Sequence, residues 1–323
     1  MQIHRPLTLL SINAAPFNRP GTRACWMSLL GLAVFCLPAL VAQTPTGKPV
    51  LPKETASEFV GEETCATCHE EVAKNFSTNP HSKLAQMHNG ITCESCHGPG
   101  KAHVEGGGDK TKIFNPATAL PKEVDDKCLS CHSGQHANFE RSAHGEAKVS
   151  CVSCHSVHAS KAPEHLLKAA QPTLCYQCHG DVRPQFSMPF HHKVDEGLLS
   201  CSDCHNPHGT GRSKMLRSTA DENAICAKCH TETAGPFVYE HPVVKVEGCV
   251  SCHTPHGSQN ARLLNVSNVN TLCLQCHSTT NSAAFSHATP PTGPAHSQVA
   301  AEVACTNCHT QIHGSNAEYN FFK

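Results

Sequence analysis

Tryptophan occurs once in the 323 residues, tyrosine three times, and all aromatics together make up 5%. A core of packed aromatic rings is thereby excluded. Aliphatic side chains do not take their place. The apolar share is 39%, and about 32% once cysteine is set aside, which is lean for a globular interior. Charge of one sign is missing too: a formal net charge of −1 leaves no basic footprint for nucleic acid. Methionine is scarce, with only Met87, Met188 and Met215 beyond residue 42. Also absent beyond that point are an apolar run of about 20 residues and alternating strands of about 10, so the bare chain cannot cross a hydrocarbon core.

The one long apolar run, CWMSLLGLAVFCLPALVA, spans residues 25–42. Arg5, Arg19 and Arg23 precede it without any acidic residue, and it ends on small residues at Ala42. Residues 1–42 therefore read as a secretory signal peptide. A retained membrane anchor is the alternative, but the run is short for a span and contains Pro38. Phe35 before Cys36 is a poor lipidation context. Residues 43–60, rich in Pro, Thr and Lys, read as a flexible leader to an exported domain over 61–323.

Cysteine and histidine are what the chain has in excess, 22 and 26 of them. Every cysteine beyond residue 42 falls in a CxxCH pattern, and there are ten. The pairs are Cys65 and Cys68, Cys93 and Cys96, Cys128 and Cys131, Cys151 and Cys154, Cys175 and Cys178, Cys201 and Cys204, Cys226 and Cys229, Cys249 and Cys252, Cys273 and Cys276, and Cys305 and Cys308. The histidines that close them are His69, His97, His132, His155, His179, His205, His230, His253, His277 and His309. Two thiols three residues apart and an imidazole one further lie on one face of a helical turn. They can add to the two vinyl groups of a haem while the histidine ligates its iron. A disulfide scaffold or zinc knuckles would also use many cysteines, but neither needs histidine after every pair.

Taken two at a time, the motifs form five modules starting at Cys65, Cys128, Cys175, Cys226 and Cys273, separated by 63, 47, 51 and 47 residues. The modules run over about 61–120, 121–170, 171–220, 221–268 and 269–323. Each has a histidine in the gap between its motifs and another trailing the second. The gap histidines are His81, His144, His192, His241 and His296; the trailing ones are His103, His158, His208, His256 and His313. These ten supply second axial ligands, because three methionines cannot serve ten irons. His191 competes with His192, and His287 with His296, for the same role. His88, His136 and His165 are left, with the losers of those two pairs, for surface or hydrogen-bonding roles. A trailing histidine three residues past its motif spans at most about 10 Å. It cannot readily wrap its own macrocycle and is expected to reach a neighbouring one. His103, six residues past His97 in a Gly-rich insert, departs from the pattern.

Pro and Gly interrupt the segments between motifs. The fold expected is a multihaem cytochrome c, mostly irregular, about a third helix and with little or no sheet. It would be an elongated array of five two-haem modules packed around haems. Short helices carry each motif, with one more before each module, as in EHLLKAA and SKMLRSTADENA. Two histidines on each iron leave no position for substrate, so the haems pass electrons. A multihaem reductase with one open haem is the rival, but all ten motifs keep their histidine.

With its ten motifs and its CHxPHG and CxxCHGPGxxH elements, the chain resembles the periplasmic decahaem c-type cytochromes of the MtrA/DmsE type, over nearly all of residues 61–323. The resemblance implies ten covalently bound c haems in a chain sheathed by an outer-membrane β-barrel protein. A periplasmic or inner-membrane donor cytochrome would feed it. An outer-surface cytochrome or extracellular acceptor, such as metal oxides or dimethyl sulfoxide, would drain it; inward flow from extracellular iron is also known among relatives. It places the protein in the periplasm, associated with the outer membrane. A soluble periplasmic shuttle and an extracellular filament are the alternatives.

Overall fold

The computed structural model describes residues 58–88, 91–162, 164–218, 221–277 and 303–322. The expected signal peptide, all but the end of the leader, and His287 and His296 lie outside them. The longest helix among the described residues, Pro121–His132, has 12 residues. Most others hold only one or two turns. Four two-residue strands, β1 (Phe190–His191), β2 (Tyr239–Glu240), β3 (Gly257–Ser258) and β4 (Gly314–Ser315), form two antiparallel pairs, β1 with β3 and β2 with β4. The mostly irregular fold with short helices matches the sequence expectation.

Each CxxCH forms one turn of helix because the histidine amide donates back to the first cysteine's carbonyl. The bond is 2.9 Å in His69→Cys65, His179→Cys175 and His205→Cys201, and 3.1 Å in His253→Cys249. Side chains cap these turns and tie the two motifs of a module together. Asp125 Oδ1 accepts from the Cys151 amide, Asn223 Oδ1 from Cys249 and Asn270 Oδ1 from Cys305, each at 2.8 Å. These three residues stand three positions before the first cysteine of their module. In the third module Gln171 serves instead, accepting from the Ser202 amide at 3.1 Å. In the first, the direction reverses: buried Glu94 accepts from the amides of Val60, Gly61 and Gly100 at 2.8–3.0 Å. Three backbone donors offset the cost of burying that carboxylate.

The second motif of each module is followed by a loop that closes on itself. In the second module the Ser156 amide donates to Leu166 O and the Lys168 amide to Cys154 O. Asn206→Met215 and Arg217→Cys204 repeat this in the third, and Thr254→Leu263 and Asn265→Cys252 in the fourth, all at 2.8–2.9 Å. The trailing histidine stands within the loop so clamped.

The extra helices expected in EHLLKAA and SKMLRSTADENA do not form among their described residues. EHLLKAA forms a single 3-10 turn in which His165 (φ 61°) and Leu166 (φ 54°) are left-handed. In SKMLRSTADENA, Lys214 and Met215 do the same at φ 54° and 52°. The left-handed turn is strained for residues with a Cβ. Here it aims the carbonyls of His165 and Lys214 at His155 and His205, so hydrogen bonding overrides helix propensity.

Aliphatic packing is sparse. Among the described residues the buried apolar side chains are Val124, Phe139, Phe186 and Val194. Conformational entropy costs about 1–2 kcal/mol per ordered residue, which four such side chains cannot offset. The polypeptide without its cofactors is therefore expected to be unfolded. A variant with all motif cysteines changed to serine should show no cooperative thermal transition in circular dichroism; a sharp one would contradict this account.

Candidate haem sites along the chain

Nine motif histidines each meet an imidazole from elsewhere in the chain. Ring centroids are 5.9–6.4 Å apart in nine pairs. Two metal–nitrogen bonds of about 2 Å each, with half an imidazole beyond each nitrogen, need centroids about 6 Å apart. The residues present thus fit an iron held between two histidines, and the adjacent CxxC supplies the thiols for a covalent c-type haem.

The pairing follows a rule. Gap histidines meet the first motif of the next module: His81 with His132, His144 with His179, His192 with His230 and His241 with His277. Trailing histidines meet the second motif of the preceding module: His158 with His97, His208 with His155, His256 with His205 and His313 with His253. The first of the five modules departs from this rule. There His103 stacks on His69 of its own module at 6.4 Å. No trailing histidine meets the motif it follows. His296, expected as the gap histidine of the fifth module, lies outside the described residues; Phe322 stacks on the His309 ring at 4.8 Å.

Neighbouring pairs are joined through their outer nitrogens. His144 Nδ1 donates to Pro207 O and His241 Nδ1 to Ile312 O, each at 3.0 Å, and His192 Nδ1 to Pro255 O. The acceptors immediately precede His208, His313 and His256, so each gap histidine is fixed to the backbone beside a trailing one. In the first module Asn79 bridges instead: its Nδ2 donates to Val157 O and its Oδ1 accepts from His81 Nδ1 at 3.1 Å. A hydrogen bond at Nδ1 leaves Nε2 as the metal-facing nitrogen.

Burial favours the neutral form of these imidazoles. It lowers the pKa of His208 to about 4, with His136 and His155 adding to the effect. Burial also lowers those of His81, His158, His241, His256 and His313, with the facing motif histidine next in each case. Neutral imidazole is the form that binds a metal.

The histidines set aside in the sequence go elsewhere. His136 packs 4.0 Å from the His208 ring. His191 Nε2 is 2.9 Å from Glu196 Oε1, while its neighbour His192 faces His230. His165 lends its carbonyl to His155 Nδ1 at 2.7 Å. No reading of spacing identified Asp125, Asn223 and Asn270 as caps, although their constant offset from the module start was present in the sequence.

Thiol pairs, each followed by a ligand-competent histidine facing a second imidazole, define a multihaem c-type cytochrome. The doubled CXXCH motif family matches residues 144–184, 191–235 and 241–282. Each match holds one whole pair: His144 with His179, His192 with His230, His241 with His277. The chain is 33% identical over 266 residues to the multihaem cytochrome MtrA of Shewanella baltica, covering 79% of each. It belongs to the MtrA-type multihaem cytochromes. It is also 32% identical over 136 residues to the c-type cytochrome protein NrfB of Escherichia coli, covering 38% of this chain and 69% of NrfB. With the c-type polyhaem cytochrome OmcC of Geobacter sulfurreducens, identity is 25% over 217 residues, covering 53% of this chain and 26% of OmcC.

Proposed function

We propose that this electron-transfer cytochrome holds ten c haems, each ligated by two histidines, and carries electrons between the periplasm and the outer membrane or extracellular acceptors. The observation that carries the reading is the exchange of histidines between modules: eight of the nine described pairs join residues of successive modules. A bound c-type haem supplies a one-electron couple. The chain's own residues would hold it by two thioethers and two imidazoles, and they fix each site to the next through shared backbone. In each of the nine described pairs both imidazoles face the place an iron would take, which supports reading the protein as an electron carrier.

An outer-membrane β-barrel is the partner this reading requires. Among the described residues no helix is long and apolar enough to cross a membrane. The irregular backbone would need a sheath to lie at membrane depth. A periplasmic or inner-membrane donor and an outer-surface cytochrome or extracellular acceptor complete the path.

Two measurements test the proposal. Electron paramagnetic resonance of the oxidised protein should show low-spin ferric signals accounting for all ten irons; a substantial high-spin fraction in intact material would overturn the ligand set. Co-expression with a candidate barrel should move the protein into the outer-membrane fraction. Persistence in the soluble periplasm would favour a shuttle.

A further inference from the structure

Each described imidazole pair has one ring whose Nδ1 is tied to a protein oxygen, and the tied side alternates along the chain. In pairs built on second motifs it is the motif histidine. His97 donates to Phe114 O, His155 to His165 O, His205 to Lys214 O and His253 to Arg262 O, at 2.7–2.9 Å. In pairs built on first motifs it is the partner: His103, tied to Asp109 O at 2.9 Å, and His81, His144, His192 and His241 as described above. Among the described residues the opposite ring has no such hydrogen bond, with one exception; Glu232 Oε1 comes only to 3.8 Å from His230 Nδ1.

The exception is the sixth motif. His205 has its anchor at Lys214 O, and its partner His256 also has one: its Nδ1 lies 3.2 Å from Gln185 Oε1. Gln185 belongs to the 3-10 turn Arg183–Ser187, whose buried Phe186 packs its ring 5.2 Å from the His256 ring. The turn runs against β3, where Gly257 leaves room for the Gln185 backbone. The other trailing-histidine partners that pair with second motifs, His158, His208 and His313, have no counterpart to Gln185 among the described residues.

We propose that Gln185 is a positioning residue that gives the sixth haem two anchored axial imidazoles and thereby lowers its reduction potential. This rests on the ligand reading above. An acceptor at Nδ1 makes the imidazole a more basic ligand, which favours the more positively charged, oxidised iron. The acceptor is a side chain, not a backbone carbonyl, so it can be changed without rebuilding the loop.

The test uses the full-length holoprotein. Gln185→Leu removes the acceptor at similar volume, and Gln185→Glu strengthens it with a charge. In a spectroelectrochemical titration, one-tenth of the absorbance amplitude should move to higher potential in Gln185→Leu and to lower potential in Gln185→Glu. Paramagnetic resonance should stay fully low-spin in both. Unmoved potentials in both variants, with the low-spin spectrum intact, would overturn the role of Gln185. His256→Ala separates this from the reading beneath it: a high-spin signal from one-tenth of the iron is expected. A wholly low-spin spectrum there would overturn His256 as a ligand.

Discussion

His208→Ala is expected to convert one ferric centre in ten to high spin, and that centre is the one on the fourth motif, not the sixth. His208 follows His205 by three residues, yet its ring lies 5.9 Å from His155 and nearly parallel to it, at 17°. His205 keeps His256 at 6.1 Å and should be untouched. His136 lies 4.0 Å from the His208 ring. It extends from the helix that carries the third motif and lies 6.0 Å from His132, one helical turn behind it. Methionine at 208 should keep the centre low-spin but raise its potential, as His/Met ligation does. Replacing Cys151 and Cys154 as well should abolish the high-spin signal, whereas replacing Cys201 and Cys204 should leave it. The reverse outcome would place His208 on its own motif's haem.

The second large effect is expected from Gly257→Ala, a single methyl group. A Cβ at this position would overlap the carbonyl oxygen of Gln185, with the carbonyl carbon 2.8 Å away and His191 Cβ at 3.4 Å. The obstacle is backbone and cannot swing aside. The Phe190–Ser258 and His191–Gly257 register of β1 and β3 must open to admit the methyl, which draws His192 away from Pro255 and His256 away from Gln185. Overpacking of this kind costs about 1–3 kcal/mol or more. Thermal unfolding followed by far-ultraviolet circular dichroism should show a clear loss of stability. Unchanged melting would mean that the contact between modules contributes little.

The same constraint recurs wherever the motif reads histidine then glycine. At Gly209 (φ 99°) a Cβ would stand 2.7 Å from Ser142 Cβ and 2.8 Å from Asn138 O. At Gly314 (φ 147°) it would run into the Phe237 ring, 2.9 Å from its Cβ. The position after His158 is already Ala159, and there Asn79 spans the wider junction with its side chain. Glycine in CHxPHG is therefore a requirement for close approach by the preceding module, and the histidine before it is delivered to that module's second motif. Gln185 acts at the same junction.

The sequence alone was enough for the chemistry. Thiols three residues apart with histidine next in line need only one helical turn to face a common ring, and one turn is set by local hydrogen bonding. The ten motifs, the lean apolar content, the shortage of methionine and the list of spare histidines were all legible for that reason. The short helices and near absence of sheet followed from Pro and Gly between the motifs. The two helices expected before modules failed because EHLLKAA and SKMLRSTADENA are asked to present a carbonyl to an imidazole ten or nine residues earlier. That demand comes from outside the segment, and propensity has no access to it.

Which histidine faces which was decided only by the tertiary structure. His208 lies three residues from His205 in sequence and 53 from His155, and nothing in the spacing ranks the two distances. The choice is made by a glycine that lets two backbones meet and by a proline carbonyl placed to receive His144. A left-handed turn holds the loop shut behind them. Residue type determined what each module can bind; contact between modules determined which imidazoles face one another, because in eight of the nine described pairs the second ring comes from a neighbouring module.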